Sequence, residues 1–455
     1  MIEPLINLIV ILVQVIGSIH NFVLMVIHWR KKPSIPPIKN PLLKLSATTL
    51  ARKIRNREIV VEAYIERIKE VNPFINAVIE DRFEAALEES KICDAKLKSN
   101  DLTMTAEQLE KHKPLYGVPI SIKESCAVKG MSFTCGCVSR KGMKATEDAY
   151  VVQTLKNAGA IPLLVSNVPE YCVTLHTYNF LFGHTMNPYD TRKTSGGSSG
   201  GETALISSGA SVLGIGTDLV GSLRIPSFFT GVFAHKPTAG TIPLDGHFFL
   251  VDDPIFKQLL TIGPIARYVD DLYLSMKVFA TSPECRLLPL FDEPVDIKNL
   301  KFYYFDNING ILGITSTTSE IKRTIHKAKQ YLITKGASVK EGSGIEFTKT
   351  ILGLSQYTPM RALMQNMLKD NGVLICPTWC RAASFPQIMS WETHCCVYTA
   401  LANLTCTPAT QIPMGFSKDG TPLGFQVISA SYQDHLCLAV AREFEKDHCG
   451  WVPPS

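Results

Sequence analysis

Charge is scarce in this chain. Asp, Glu, Lys and Arg make up 19% of its 455 residues against 45% hydrophobic ones, and the formal net charge is only +5. That balance excludes a disordered chain. There is no basic stripe, no zinc-finger spacing and no RNA-binding aromatic signature, so nucleic acid is not an expected partner. A cysteine framework is missing too. The 13 cysteines are odd in number and scattered, which reads as reduced thiols rather than a secreted disulfide scaffold. Cys135/Cys137, Cys376/Cys380 and Cys395/Cys396 lie close together, but no histidine completes a ligand set, and no metal is expected there. Gly214-x-Gly216 hints at a nucleotide loop; the next glycine, Gly221, falls too far along for a dinucleotide fingerprint, and no cofactor is expected. No internal repeat shows.

What is present begins with an apolar run. From Pro4 to Ile27 no residue is charged at neutral pH, and the run exceeds the ~20 residues that cross a bilayer. It starts with Glu3 and no basic side chain, and it is too long for a signal peptide, so an uncleaved transmembrane anchor is expected over residues 4–28. Trp29 marks the expected interface. Arg30, Lys31 and Lys32 follow, and the positive-inside rule then puts the large domain of a single-pass membrane protein on the cytosolic side. Asn7, Gln14, His20 and Asn21 interrupt the run and leave a second reading open, a hydrophobic hairpin lying on the membrane without spanning it. Residues 33–45 hold four prolines and read as a linker. The large domain follows over residues 46–453.

The rest alternates between two periodicities. Helical spacing is expected over Ala47 to Arg55 with Ser46 as cap, over Val60 to Glu70 with Asn72-Pro73 as the break, and over Arg82 to Ser99. Further helices are expected at Ala149 to Ala158 with Gly159 as stop, Ser319 to Lys335 with Gly336 as stop, Val397 to Leu404, and His435 to Phe444. Apolar strands are expected at Ile75 to Ile79, Leu115 to Ile122, Ile161 to Val165, Lys301 to Phe305, Val373 to Cys376 and Gly424 to Ile428. Strands alternating with helices predict an α/β fold: one mixed, mostly parallel sheet covered by helices on both faces. Asn403-Leu404-Thr405 fits a glycosylation acceptor, but it lies in an apolar helix and is expected to stay unmodified.

Glycine and serine concentrate between Ser195 and Gly240, in apolar surroundings that a flexible linker would not have. Gly196, Gly197, Gly200 and Gly201 bracket Ser198 and Ser199, so the backbone there can take angles closed to other residues. Ser222 follows Gly221 in a turn after an apolar strand. Serines held in tight, water-poor turns are candidates for nucleophilic chemistry, because a hydroxyl attacks only when something takes its proton.

The motifs resemble the amidase signature family of serine hydrolases. The likeness rests on Gly196-Gly197-Ser198-Ser199-Gly200-Gly201-Glu202, Gly214-x-Gly216-Thr217-Asp218, Gly221-Ser222-x-Arg224-x-Pro226 and Lys236-Pro237-Thr238. It extends to Tyr116 through Glu124, similar to the family's lysine strand, to Asn187-Pro188-Tyr189, to Gly263 through Arg267 and to Pro422 through Val427, and covers roughly residues 43–453. With the N-terminal apolar run, the likeness is strongest to the family's animal enzymes that act on fatty-acid amides. The resemblance implies a Ser-Ser-Lys triad: Ser222 as nucleophile forming the acyl-enzyme, Ser198, after a cis peptide bond, as proton relay, and Lys123 as base. A lysine serves as base only when neutral, which burial at a strand end would favour. Backbone N–H groups of Leu219, Val220, Gly221 and Ser222 would form the oxyanion hole.

Two departures stand out. The family usually has two glycines before the nucleophile, and here Val220 occupies the first of those positions; if that position needs a glycine-only angle, the oxyanion turn is distorted. Between Ser338 and Gly372 the chain is shorter than its relatives, so the acyl channel is expected to be more open. The reading is therefore a membrane-anchored serine amidase that hydrolyses lipid amides to fatty acid and amine, compatible with a homodimer. The alternative is an impaired relative that binds lipid amides without turnover. A transamidosome subunit fits poorly with the apolar N-terminus.

Overall fold

The computed structural model describes residues 2–29, 34–55, 60–98, 105–248, 252–280, 288–308, 315–342, 357–447 and 450–454. Eleven strands build one sheet: β1 Val78–Asp81, β2 Pro119–Lys123, β3 Ile161–Ser166, β4 Leu213–Asp218, β5 Phe233–Lys236, β6 Thr261–Ala266, β7 Lys301–Tyr304, β8 Ser338–Glu341, β9 Gly372–Cys376, β10 Ala409–Phe416 and β11 Pro422–Ser429. Their spatial order is β1-β3-β2-β4-β6-β5-β10-β11-β9-β7-β8. Helices flank the sheet, and the main core lies between them.

The α/β expectation holds, but the sheet is not mostly parallel. Four of its ten strand pairings are parallel and six antiparallel. The reason lies in β6 and β10, which were not read as strands. Each carries glycine and proline inside it (Gly263-Pro264; Pro413 and Gly415), residues that argue against a central strand. Yet Pro264 pairs opposite Ile215 in the middle of the sheet. Those two strands enter antiparallel and turn the alternating pattern into a mixed sheet.

Local signals were read more accurately. Helix Ala47–Arg55 begins as expected, with Ser46 Oγ accepting the Thr49 N–H at 3.1 Å. The buried Asp271 carboxylate accepts the Ala47 and Thr48 N–H groups. Helix Tyr150–Asn157 stops before Gly159, whose φ of +93 only glycine takes readily. Asn72-Pro73 does not end its helix, which runs from Val61 to Ile75. It stops one turn later at Asn76, in the left-handed conformation, and this pushes the first strand from the expected 75–79 to 78–81. The residues before Pro119 form a turn rather than strand, as Gly117 has a φ of +75. The stretch expected as a linker is held down: Ile35 and Ile38 are buried in the main core, and Arg67 donates to the Pro36 carbonyl.

The apolar N-terminal run is helical from Ile2 to Ile27. Among the described residues no helix is long and apolar enough to cross a membrane, so the spanning expectation for residues 4–28 gains no support. The second half of the helix docks on the domain. Leu24 is buried against Phe385 and Ile388, Gly17 packs against Trp391, and His28 stacks on Phe385 with ring centroids 5.3 Å apart. Arg30, Lys31 and Lys32 lie outside the described residues, as do residues 343–356 of the stretch expected to be shortened.

Candidate active site

The parallel pair β2 and β4 places the candidate base. Ser121 pairs with Gly214 and Ile122 with Ile215, so Lys123 and Thr217 reach the carboxyl ends of neighbouring strands, where open α/β sheets place their sites. Lys123 is fully buried. Its Nζ donates to Ser198 Oγ at 2.7 Å and to Thr217 Oγ1 at 2.7 Å. The next residue, Glu124, turns the other way. Its buried carboxylate accepts the N–H groups of Thr134 and Cys135 and the Ser132 hydroxyl, which ties the 131–136 loop to the end of β2.

Ser198 follows a cis peptide bond from Gly197, as the resemblance implied. Ser199 then opens helix Gly200–Ser207, and its N–H donates to the Ser222 carbonyl at 3.2 Å. That bond sets the turn of Ser222 against Ser198. It is possible because Gly216 lets the strand approach: a Cβ there would lie 2.7 Å from Ser199 Oγ. Beneath the lysine, Glu202 accepts a hydrogen bond from Ser121 Oγ at 2.7 Å, and burial pushes its carboxyl up to about 7. The structure thus joins Lys123 and Ser198 directly and Ser222 to the same loop through backbone. Among the described residues no hydrogen bond joins the hydroxyls of Ser198 and Ser222; such contacts often tighten only with substrate bound.

The turn from Asp218 to Ser222 is held from below. Asp218 pairs with Arg224, Nε to Oδ2 at 3.0 Å, both side chains fully buried. Arg224 also donates to Gln426 Oε1 and Asn403 Oδ1, each at 2.7 Å. Burial alone would raise the Asp218 carboxyl; the Arg224 charge and hydrogen bonds outweigh it and hold it near about 2. The Gly221 N–H donates to Asp218 Oδ1 at 2.6 Å. Of the four expected oxyanion donors, Gly221 therefore serves the turn, while the amides of Leu219, Val220 and Ser222 find no acceptor among the described residues. The left-handed position is Gly221, with φ +125, and Val220 keeps an ordinary negative φ. The glycine-only angle feared for Val220 does not arise. Its carbonyl accepts from Thr399 Oγ1 at 2.6 Å, and its side chain packs against the second apolar cluster.

Thr217, Asp218, Arg224 and Gln426 stood inside the motifs without a role, and Thr399 carried no signal in sequence. Asn403 was read only as a glycosylation acceptor. Its side chain is buried and donates to Asp218 and to the Leu259 carbonyl, so it is a brace of the site and closed to glycosylation in the folded chain.

The family model described as Amidase matches residues 59–370 and 357–438, and the chain belongs to that family, a hydrolase acting on carbon–nitrogen bonds. Fatty-acid amide hydrolase 2-A of Danio rerio is 35% identical over 502 residues, covering 92% of both chains. Fatty-acid amide hydrolase 2 of Homo sapiens is 34% identical over 492 residues, also covering 92% of both. A solved structure titled fatty acid amide hydrolase superposes with a TM-score of 0.74 at 22% identity, over 89% of this chain and 85% of that one. That last likeness speaks for the fold alone.

Proposed function

We propose that this amidase hydrolyses fatty-acid amides through an acyl-enzyme on Ser222. The observation that carries the reading is the buried Lys123 amine within 2.7 Å of Ser198 Oγ. Ser222 Oγ attacks the amide carbon, its proton passing to Ser198 and on to the Lys123 amine. The tetrahedral oxyanion forms against the open amides of Leu219, Val220 and Ser222. On collapse, Ser198 hands a proton to the departing amine, and water then releases the fatty acid by the same relay. The lipid substrate is proposed from the relatives above and from the N-terminal helix.

That helix keeps Phe22, Val26 and Ile27 more than half exposed while Leu24 faces the domain. A one-sided apolar helix docked on a domain suits a membrane surface better than a span. Arg30, Lys31 and Lys32 assign that surface to the cytosolic leaflet. The alignment with the zebrafish relative is longer than this whole chain, and the family match breaks near residue 357. Both support a shortened segment beside the acyl channel.

Ser222→Ala abolishes covalent labelling by a fluorophosphonate probe and lowers amide turnover by at least about 10³-fold; labelling at full intensity in the variant overturns the assignment. The binding-only alternative was motivated by Val220 and by the shortened segment between Ser338 and Gly372; the ordinary backbone at Val220 speaks against the first motive, and turnover tests the second. On a long-chain primary amide the unaltered chain turns over readily, and Val220→Gly changes its rate by less than about threefold.

A further inference from the structure

Two thiols meet beside the relay serine. Cys135 lies in the loop tied to Glu124, and its backbone N–H donates to that carboxylate at 2.7 Å. Cys172 ends the short helical turn that follows β3. The two loops are clamped together, because the Tyr171 N–H donates to the Cys135 carbonyl at 3.0 Å. Both cysteines sit in the left-handed region, with φ of 49 and 58, conformations that few non-glycine residues adopt and that the clamp must hold. Their sulfurs are 3.6 Å apart. Cys135 is buried against Cys137 and Val168, and Cys172 is half-buried. The electrostatic neighbours of Cys172 are Ser125, Ser198 and Lys123, two of them members of the proposed triad.

We propose that Cys135 and Cys172 form a thiol-modification site in which a hydroperoxide closes a reversible disulfide next to the triad. The hydrogen bond from the Cys135 thiol favours the thiolate on Cys172, while the same bond and burial push Cys135 well up. The thiolate attacks the peroxide, the O–O bond breaks, and an alcohol or water leaves with a proton; Cys172 becomes a sulfenic acid. The Cys135 thiol attacks that sulfur and gives up its proton, the S–O bond breaks, and water leaves. Two thiols are oxidised and one peroxide is reduced. The sulfurs have to close from 3.6 Å to ~2.05 Å. A disulfide sulfur has no S–H and carries no negative charge, so Ser198 and Lys123 lose a charged neighbour.

The test treats the full chain with hydrogen peroxide, blocks free thiols by alkylation and maps cross-linked peptides by mass spectrometry. The expected result is a Cys135–Cys172 link formed at lower peroxide doses than any modification of the half-buried Cys93, and undone by dithiothreitol. This readout needs no substrate, so its failure is distinguishable from failure of the amidase reading. Hydrolysis falls in parallel by up to about tenfold, the scale of one pKa unit of lost charge interaction, and recovers on reduction. Cys135→Ala has no partner sulfur with which to close the link, so peroxide treatment followed by reduction no longer gives it a reversible loss of its own starting rate. A pair that stays reduced while Cys93 is modified overturns the proposal, and so does equal reversible inhibition in Cys135→Ala.

Discussion

Two parts of this chain carry long apolar stretches and end in opposite situations. The segment from Ser195 to Lys236 is almost wholly buried, although it carries serines, threonines, Glu202, Asp218 and Arg224. The N-terminal helix is apolar along its length, yet Phe22 is 65% and Ile27 64% exposed. In the first segment burial is bought with internal partners. Asp218 has Arg224 and Asn403, Lys123 has Ser198 and Thr217, and Glu202 has Ser121. In the second few side chains are polar, and among its described residues Gly17 and Leu24 pack against the domain. The site therefore depends on paired polar groups under tight packing, whereas the helix leaves much of its apolar surface exposed.

The comparison is broken first at Gly221, where tight packing coincides with a left-handed backbone. A Cβ there would lie 2.6 Å from Thr399 Cβ and 2.7 Å from Ile225 Cδ1, at a φ of +125. Gly221→Ala has to move the turn that carries the oxyanion amides. The expected loss in kcat is on the order of 10²–10³-fold, the range for one misplaced oxyanion donor. Steady-state hydrolysis checks it; turnover within threefold of the unaltered chain would mean that the turn is soft and that its packing does not set the chemistry.

The next test strikes the paired charges. Asp218→Asn leaves the Arg224 guanidinium buried without its counter-charge, a loss of ~3–5 kcal/mol for a broken buried pair, read as a shift in the urea midpoint. The pH dependence follows in sign. The Asp218 carboxyl is held near about 2 in the fold, below its unfolded value of ~3.9. Its contribution is present above pH ~4 and is lost as the pH falls toward 2. In Asp218→Asn that part of the acid destabilisation disappears. An identical acid slope in both proteins would show that Asp218 is not a principal acid-labile contact.

Legibility in the sequence followed the same division. The placement of Lys123 at its strand end, of Ser198 after a cis bond and of Ser222 in a tight turn was readable because each is a short motif whose glycines and serines have one geometric use. The helices with marked ends, Ser46 at one start and Gly159 and Gly336 at two stops, were readable for the same reason. The long-range parts were not. Strands Thr261–Ala266 and Ala409–Phe416 hide behind proline and glycine, and with them goes the antiparallel majority of the sheet. Thr399 and Asn403 brace the oxyanion turn from about 180 residues downstream, and local pattern holds no information about such a contact. The apolar helix showed its composition but not which stripe the domain would cover.

That stripe is the place for the smallest expected effect. Among the described residues of the helix, Leu24 is the one buried with Phe385 and Ile388, in a cluster separate from the main core. Leu24→Ala removes a side chain whose full burial is worth ~1.5–3 kcal/mol, but the loss falls on the docking of the helix and not on the sheet. Global unfolding by urea should shift by less than about 0.5 kcal/mol, the range of changes outside the core. Hydrolysis of a short, water-soluble amide should stay within about twofold, while limited proteolysis cuts the helix away faster. If instead the soluble-substrate rate falls along with the docking, then the contact is transmitted through the 385–399 segment to Thr399 and Val220, and the two apolar regions contrasted above are one mechanical unit.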